Sequence, residues 1–192
     1  WAVTADDVDG DGDVDVLSAN EHDNSIMWYS NNGEESFKAK TVASQVTDIW
    51  SIYSSDVDFD GDVDILTGTK DDDTIIWYEN IGNENFSTQS KVHTSDPIFS
   101  QYVYDADADG DLDIFPVLRN NYEIIWYENV DSSKITVHQI ITKVQEISAL
   151  TQGDMDGDGD PDVISASIDS QLITWYENTA LHGCFDENAC NY

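Results

Sequence analysis

The chain has 192 residues, which is enough for one globular domain with a sizeable core. Its 40 Asp and Glu residues against 7 Lys and Arg residues give a formal net charge of −33, which argues against nucleic acid or an anionic membrane as partner and favours cations. Six Trp, nine Tyr and a hydrophobic fraction of 40% exclude a disordered acidic tail, and no apolar run reaches the roughly 18 residues of a membrane span.

The first distinctive element is an acidic segment, DVDGDGDVD at residues 7–15, which the chain repeats three more times. Its counterparts occupy residues 56–64, 105–113 and 154–162, so the interval is always 49 residues. Equal intervals without an insertion predict four structural units whose loops have fixed lengths. A Trp-Tyr pair keeps the same interval in every unit: Trp28-Tyr29, Trp77-Tyr78, Trp126-Tyr127 and Trp175-Tyr176.

The second unit shows the predicted elements most clearly. Residues 48–55, 63–69, 74–81 and 86–94 have the alternation or β-rich composition of strands, and KDDD at 70–73 is a polar turn. Four short strands in a period of 49 residues predict an all-β fold of β-propeller-type blades, each with four antiparallel strands. Because neighbours on a strand face opposite sides, the Trp-Tyr pair indicates a sheet covered on both faces, with the Trp in the core.

Each acidic segment has Asp at its positions 1, 3, 5, 7 and 9 and Gly at position 6. Oxygen ligands at alternate positions, with a Gly that permits a sharp turn, are typical of a calcium loop. We predict side-chain ligands from positions 1, 3, 5 and 9 and a backbone carbonyl ligand from position 7. The predicted ligands are Asp7, Asp9, Asp11, Asp13 and Asp15; Asp56, Asp58, Asp60, Asp62 and Asp64; Asp105, Asp107, Asp109, Asp111 and Asp113; and Asp154, Asp156, Asp158, Asp160 and Asp162.

Other interpretations of the acidic segments are weaker. An EF-hand needs an acidic residue at position 12 and flanking helices, but position 12 is Ser18, Thr67, Pro116 or Ser165 and the flanks are β. A solvated acidic turn gives no reason for the same alternation and the same Gly in four copies. Mg²⁺ prefers octahedral, partly hydrated sites and suits these loops less well than Ca²⁺.

The motif ADDVDGDGDVDVLSA, followed by SIMWYSNNG and a Phe, resembles the FG-GAP/VCBS repeats of integrin α-subunit propellers and of secreted microbial proteins. The resemblance extends over about residues 1–180, which we take as the repeat domain, with a short tail at 181–192. It implies a β-propeller in which the acidic loop joins two strands of one blade and holds Ca²⁺, so that about four ions are expected. Rings of this family usually hold more blades, so four repeats predict an incomplete ring or one completed by other chains.

The two ends of the chain differ from the repeat. Trp1 aligns with Trp50, so the first unit begins within a repeat, and we expect a processed product or a fragment. The fourth unit lacks a counterpart of residues 86–94, which predicts an exposed sheet edge open to pairing. A segment of a longer repeat array, or a subunit that assembles head-to-tail, would follow. The alternative is an edge covered by a glycan or by the tail.

The tail contains the two cysteines of the chain, Cys184 and Cys190. They are too few for a zinc site, and a short local disulfide in an oxidising compartment is expected, which favours an extracellular or cell-surface location. GCFDENACNY resembles a short Cys-containing segment of secreted bacterial and algal proteins. Asn85 begins the N-glycosylation sequon NFS and is a candidate glycan site.

We find no enzymatic motif. The histidines occupy unrelated repeat positions, there is no G-x-S-x-G, P-loop or zinc spacing, and the clustered carboxylates are assigned to metal. PVLRNNYE at 116–123, with Arg119, departs most from the repeat, and we interpret it as loop variation. We therefore predict an extracellular, calcium-binding structural or adhesive module that mediates protein–protein assembly through other copies of itself or neighbouring repeats. The alternative is a carbohydrate-binding, lectin-like propeller with glycans as partners.

Overall fold

Fifteen β-strands account for all regular secondary structure in the part of the chain that the structure describes. The computed structural model describes residues 2–34, 36–70, 73–107, 109–118, 123–131, 134–142 and 147–178. The strands form four separate antiparallel sheets, and within each sheet the strands are adjacent in chain order. Contacts divide the chain into two compact units, Trp1–Ser100 and Gln101–Tyr192. No described segment is a helix of the length and apolar character that would cross a bilayer.

The first unit contains sheet 1 and sheet 2, each with four strands. Adjacent strands pair in continuous antiparallel register apart from single irregularities, as between β3 and β4 at Ile26/Met27. Sheet 1 consists of β1 (Ala2–Asp6), β2 (Asp15–Asn20), β3 (Ser25–Asn31) and β4 (Phe37–Ser44), and sheet 2 of β5 (Ile49–Ser55), β6 (Asp64–Thr69), β7 (Thr74–Asn80) and β8 (Phe86–His93).

The second unit contains most of sheet 3 and all of sheet 4, and the boundary between the units falls within β9. The described part of sheet 4 has three strands, and the residues at which a fourth would follow lie outside the described part of the chain, so the predicted absence of an outer strand stays a prediction. Sheet 3 consists of β9 (Ile98–Tyr104), β10 (Asp113–Leu118), β11 (Glu123–Asp131) and β12 (Lys134–Thr142), and sheet 4 of β13 (Ile147–Gly153), β14 (Asp162–Ser167) and β15 (Leu172–Tyr176).

The core of the first unit lies between the two sheets. Leu17 opposes Trp28 on sheet 1 and Ile65 opposes Tyr78 on sheet 2, and all four belong to one buried cluster. Phe86 packs edge-on against Trp28 with ring centroids 6.2 Å apart. The predicted burial of the Trp in the core is therefore confirmed for Trp28. Tyr78, from the Trp-Tyr pair of the next repeat, packs in the same core.

The core of the second unit repeats this arrangement. Phe115 and Trp126 of sheet 3 form a buried cluster with Val163 and Tyr176 of sheet 4. Phe115 stacks on Trp126 with ring centroids 6.3 Å apart. Both units thus place one face of an earlier sheet against the opposite face of the next, which is how propeller blades pack.

Candidate metal centres in the acidic loops

Each acidic segment connects the first strand of a sheet to the second, and we call these segments loops 1 to 4. In loop 1 the connection runs from β1 to β2, where Asp6 pairs with Asp15 across the two strands. The same connection joins β5 to β6, β9 to β10 and β13 to β14. Every loop therefore starts and ends on paired strands, which fixes the separation of its ends.

The Gly at position 6 is required by the backbone of the loop. Gly12, Gly61, Gly110 and Gly159 have φ values of 94°, 99°, 99° and 103°, a region that residues with a Cβ rarely adopt. The backbone N–H of each Gly donates to the Asp at position 1, at 2.9 Å in loop 1 and 3.0 Å in loop 2. The turn thereby folds the carboxylate of position 1 back over the loop, as the sequence pattern predicts for a cation site.

The structure brings three carboxylates together in each loop. One oxygen from each member lies within 4.8 Å of the others, close enough to share a cation. Position 7 belongs to none of these groups, so its predicted carbonyl contact stays a prediction. Loops 1, 2 and 4 group positions 1, 3 and 5, whereas loop 3 groups positions 1, 3 and 9. The groups are Asp7, Asp9 and Asp11; Asp56, Asp58 and Asp60; Asp105, Asp107 and Asp113; and Asp154, Asp156 and Asp158.

Several of these oxygens are buried without a hydrogen-bond donor. Oδ1 of Asp7, Oδ1 of Asp56 and Oδ1 of Asp58 are shielded from solvent and have no partner. A buried anionic oxygen without a donor is strongly destabilising unless a cation compensates it. Hard carboxylate oxygens at flexible geometry are the ligands that Ca²⁺ prefers, so these residues fit that ion.

The electrostatics of the loops point the same way. Burial raises the pKa of Asp58, and the charge of Asp60 raises it further. Burial likewise raises the pKa of Asp107, with a smaller contribution from Asp109. A nearby cation favours the ionised form of a carboxyl group and opposes both effects. Without metal, ionisation of these carboxyl groups is therefore unfavourable, and a bound divalent cation would favour it.

The Asp at position 9 also has a structural role that the sequence analysis did not predict. Asp64 is fully buried, and its two oxygens accept the backbone N–H groups of Val57 at 3.1 Å and Asn80 at 2.8 Å. Its pKa is raised to about 7, because the effect of burial outweighs the lowering effect of these two hydrogen bonds. The same pair of bonds recurs at the other three buried position-9 residues, Asp15, Asp113 and Asp162. Position 9 thus anchors the loop to the third strand of its own sheet.

An Asn at the end of the Trp-Tyr strand connects neighbouring sheets within each unit. The side-chain nitrogen of Asn80 donates to the Val8 carbonyl of loop 1 at 3.0 Å. Asn178 donates to the Ala106 carbonyl of loop 3 at the same distance. The sequence signal for these contacts was present, since Asn follows the Trp-Tyr pair after one residue in every unit, but the pattern alone did not reveal its partner.

The remaining predicted site residues lie elsewhere. Asn85 is exposed between β7 and β8, and its side-chain nitrogen donates to the Asn83 carbonyl at 2.8 Å. Its glycosylation stays a prediction. Cys184 and Cys190 lie outside the described residues, as does Arg119 of the divergent third repeat.

These sheets and loops define an all-β repeat protein built from blades of propeller type. A model of the FG-GAP-like repeat matches residues 7–67, 56–115 and 105–165. The chain therefore belongs to the FG-GAP-like repeat family, as its motifs indicated. None of the curated protein sequences compared with the chain matches it.

Solved structures resemble the chain at low sequence identity. A lectin from Agrocybe aegerita, whose structure is described as the basis of specific recognition of non-reducing terminal N-acetylglucosamine, is 17% identical with a TM-score of 0.67. The similarity covers 96% of this chain and 51% of the lectin chain, so this chain spans about half the length of that protein. A weaker similarity, with a TM-score of 0.40 and 11% identity, is to BBS1N in complex with ARL6DN, and covers 85% of this chain and 74% of the other.

Proposed function

We propose that the chain is a non-enzymatic, extracellular or cell-surface repeat module whose acidic loops bind Ca²⁺ and whose blades mediate protein–protein assembly. The observation that carries this proposal is the fourfold grouping of three carboxylates within 4.8 Å on paired strand ends. Asp7, Asp9 and Asp11 would hold the ion of loop 1, and the corresponding groups would hold the others. The ion would supply positive charge that offsets the repulsion between the carboxylates.

The role of the ion in this proposal is structural. Two of the three grouped carboxylates in loop 2 have a buried oxygen without a donor, so the loop is incomplete as a hydrogen-bonded structure. Sites of this kind in extracellular modules bind Ca²⁺ with dissociation constants of roughly 0.1–1 mM. Such affinities suit permanent occupancy outside the cell, where the ion is abundant, and do not suit transient signalling.

A calorimetric titration of the metal-free chain with Ca²⁺ tests the proposal. We expect saturable binding of about four ions, one for each acidic loop, and much weaker binding of Mg²⁺. Asp58→Asn should remove one of these binding events, because it neutralises a buried ligand of loop 2. Asp23→Asn is the matched control, since it makes the same charge change at an exposed residue outside the loops. Equal stoichiometry in the two variants would contradict the assignment of the ligands.

A second candidate function, carbohydrate binding, is favoured by a cavity in the first unit. The cavity has a volume of about 320 Å³ and is lined by Glu21, Asp48, Ile49, Trp50 and Lys70. Lys70 lies 5.2 Å from the centre of the Trp50 ring. An aromatic ring beside carboxylates and an ammonium group offers a stacking surface and hydrogen-bonding groups, which are features that suit a sugar ring. The similarity to a lectin that recognises N-acetylglucosamine adds support.

A glycan array tests this second candidate. We expect selective, saturable binding by the calcium-loaded chain and loss of that binding in Trp50→Ala. Phe37→Ala serves as control, because Phe37 is an exposed aromatic residue of β4 that does not line the cavity. If the chain binds no glycan, or if both variants lose binding equally, the cavity is not a sugar site.

A further inference from the structure

Two strand residues outside the acidic segment lie close to its position-3 carboxylate in loop 1. The hydroxyl of Ser30 donates to Oδ2 of Asp9 at 3.2 Å. Lys40 of β4 lies on the same face of sheet 1, because it pairs directly with Trp28, which precedes Ser30 by two residues on β3. We call the residues at these two repeat positions the flanking pair, which is Ser30 and Lys40 for loop 1, Glu79 and Gln89 for loop 2, and Glu128 and His138 for loop 3.

The ammonium group of Lys40 is held at the edge of loop 1. Its Nζ lies 3.7 Å from the centre of the Trp28 ring and 3.0 Å from Oε1 of Glu84, in the turn between β7 and β8. Asp9, Trp28 and Glu84 line one cavity of about 190 Å³ within the first unit. The side chain of Lys40 is only 14% exposed, so its positive charge is fixed beside the loop and is incompletely screened by solvent.

The corresponding residues of loop 3 have the same geometry with a different charge. The imidazole of His138 stacks on Trp126 with ring centroids 4.5 Å apart, and its Nε2 forms a hydrogen bond of 2.7 Å with Oε2 of Glu128. His138 pairs directly with Trp126 across β11 and β12, as Lys40 does with Trp28 across β3 and β4. The flanking pair of loop 3 therefore supplies a carboxylate where that of loop 1 has a hydroxyl.

The charges of the flanking pairs act on the carboxylates of the loops. Burial and neighbouring loop carboxylates raise the pKa of Asp9, and the charge of Lys40 opposes them. In loop 2 the sign is reversed, because Glu79 adds to the effect of burial that raises the pKa of Asp58. The Glu of the flanking pair acts in the same way in loop 3. The electrostatic potential at position 3 is therefore less negative in loop 1 than in loops 2 and 3.

We propose that the flanking pair sets the Ca²⁺ affinity of its loop, and that loop 1 binds Ca²⁺ more weakly than loops 2 and 3. Loop 1 gains a positive charge from Lys40 and lacks the negative charge that Glu79 and Glu128 bring to the other two. The affinity of a calcium loop increases with the negative charge around the ion. One unit charge roughly 6–12 Å from a divalent ion in a solvent-like dielectric changes its affinity by about three- to tenfold. This inference rests on the proposed binding of Ca²⁺ by the acidic loops.

Calorimetric titration of variants with Ca²⁺ tests the inference. Asp7→Asn removes a proposed ligand of loop 1 and so identifies the binding event of that loop, which should be weaker than the event that Asp56→Asn removes from loop 2. Lys40→Gln should strengthen the loop 1 event by about three- to tenfold, whereas Lys40→Arg should leave it as it is. Gln45→Glu is the matched control, because it changes the net charge equally at an exposed residue beyond the end of β4 that is far from loop 1.

A reciprocal substitution moves the positive charge to loop 3. His138→Lys places an ammonium group beside Glu128 and should weaken the binding event of loop 3, which Asp105→Asn identifies, by about three- to tenfold. His138→Gln, measured at pH 8, is its control, because glutamine brings no positive charge. The melting temperature of each variant in saturating Ca²⁺ confirms its fold.

Four results would overturn the inference. The first is a loop 1 event as tight as that of loop 2 in the natural chain, and the second is an unchanged loop 1 affinity in Lys40→Gln. Equal strengthening by Lys40→Gln and Gln45→Glu would assign the effect to net charge alone. A weaker loop 1 event in Lys40→Gln would make Lys40 a positioning residue of the loop. All four leave the proposed function intact, whereas a natural chain that binds no Ca²⁺ overturns the proposed function together with this inference.

Discussion

Removal of Ca²⁺ by a chelator is expected to lower the melting temperature of the chain by about 10–20 °C. An ion at ten times its dissociation constant stabilises the native state by about 1.4 kcal/mol for each site. Four loops together contribute on the order of 5 kcal/mol, which is comparable to the whole stability of a typical domain. At roughly 2–4 °C for each kcal/mol in a chain of this size, the shift is large. Circular dichroism during heating, with and without chelator, measures it.

The control for this experiment is the identity of the cation. Addition of excess Ca²⁺ to the chelated protein should restore the original transition, whereas Mg²⁺ at the same concentration should restore little of it, because the loops offer too many carboxylates for a compact hydrated ion. A melting temperature that chelation leaves unchanged would show that the loops are stable without metal.

Replacement of Asp64 by Ala is expected to lower the free energy of unfolding by about 4 kcal/mol. The carboxylate is fully buried and accepts the N–H groups of Val57 and Asn80, so its removal leaves two buried donors unpaired. Each unpaired buried group costs about 1–3 kcal/mol. Urea unfolding in saturating Ca²⁺ measures the loss.

Two further substitutions in the same loop give this experiment its comparison. Asp64→Asn retains a carbonyl acceptor for one of the two donors and should lose less stability than Asp64→Ala. Asp62→Ala removes a carboxyl group from position 7 of the same loop, which is exposed and does not anchor β7, and should cost least. If the two alanine variants are equally stable, the hydrogen bonds of position 9 are not what holds the loop.

The periodic part of the structure was predictable from the sequence because it depends on local signals. Residues 74–81 were expected to form a strand and the structure has β7 at Thr74–Asn80, while the segment expected at 63–69 forms β6 at Asp64–Thr69. The loops followed from the spacing of Asp and Gly, since a turn with φ near 99° at Gly61 admits few other residues. The grouping of Asp56, Asp58 and Asp60 is the direct result of that turn.

The contacts between distant segments were not predictable in this way. Asp64 and Asn80 are 16 residues apart and Asn80 and Val8 are 72 apart, so only the folded sheets bring them together. The repeat showed that these residues recur but not which groups they contact, because a backbone donor or acceptor carries no sequence signature. The 71% exposure of Ile173 was likewise not predictable, because Ile occupies the same repeat position in the other three units and is buried there.

Asn80 forms hydrogen bonds with residues of two acidic loops. Its backbone N–H binds Asp64 at the end of loop 2, and its side chain binds the Val8 carbonyl within loop 1. Whatever rigidifies one loop therefore reduces the entropy that the other must lose on binding, and such an effect is reciprocal. The ions proposed for loops 1 and 2 would therefore be thermodynamically linked and would favour joint occupancy, and Asn178 would give loops 3 and 4 the same positive cooperativity.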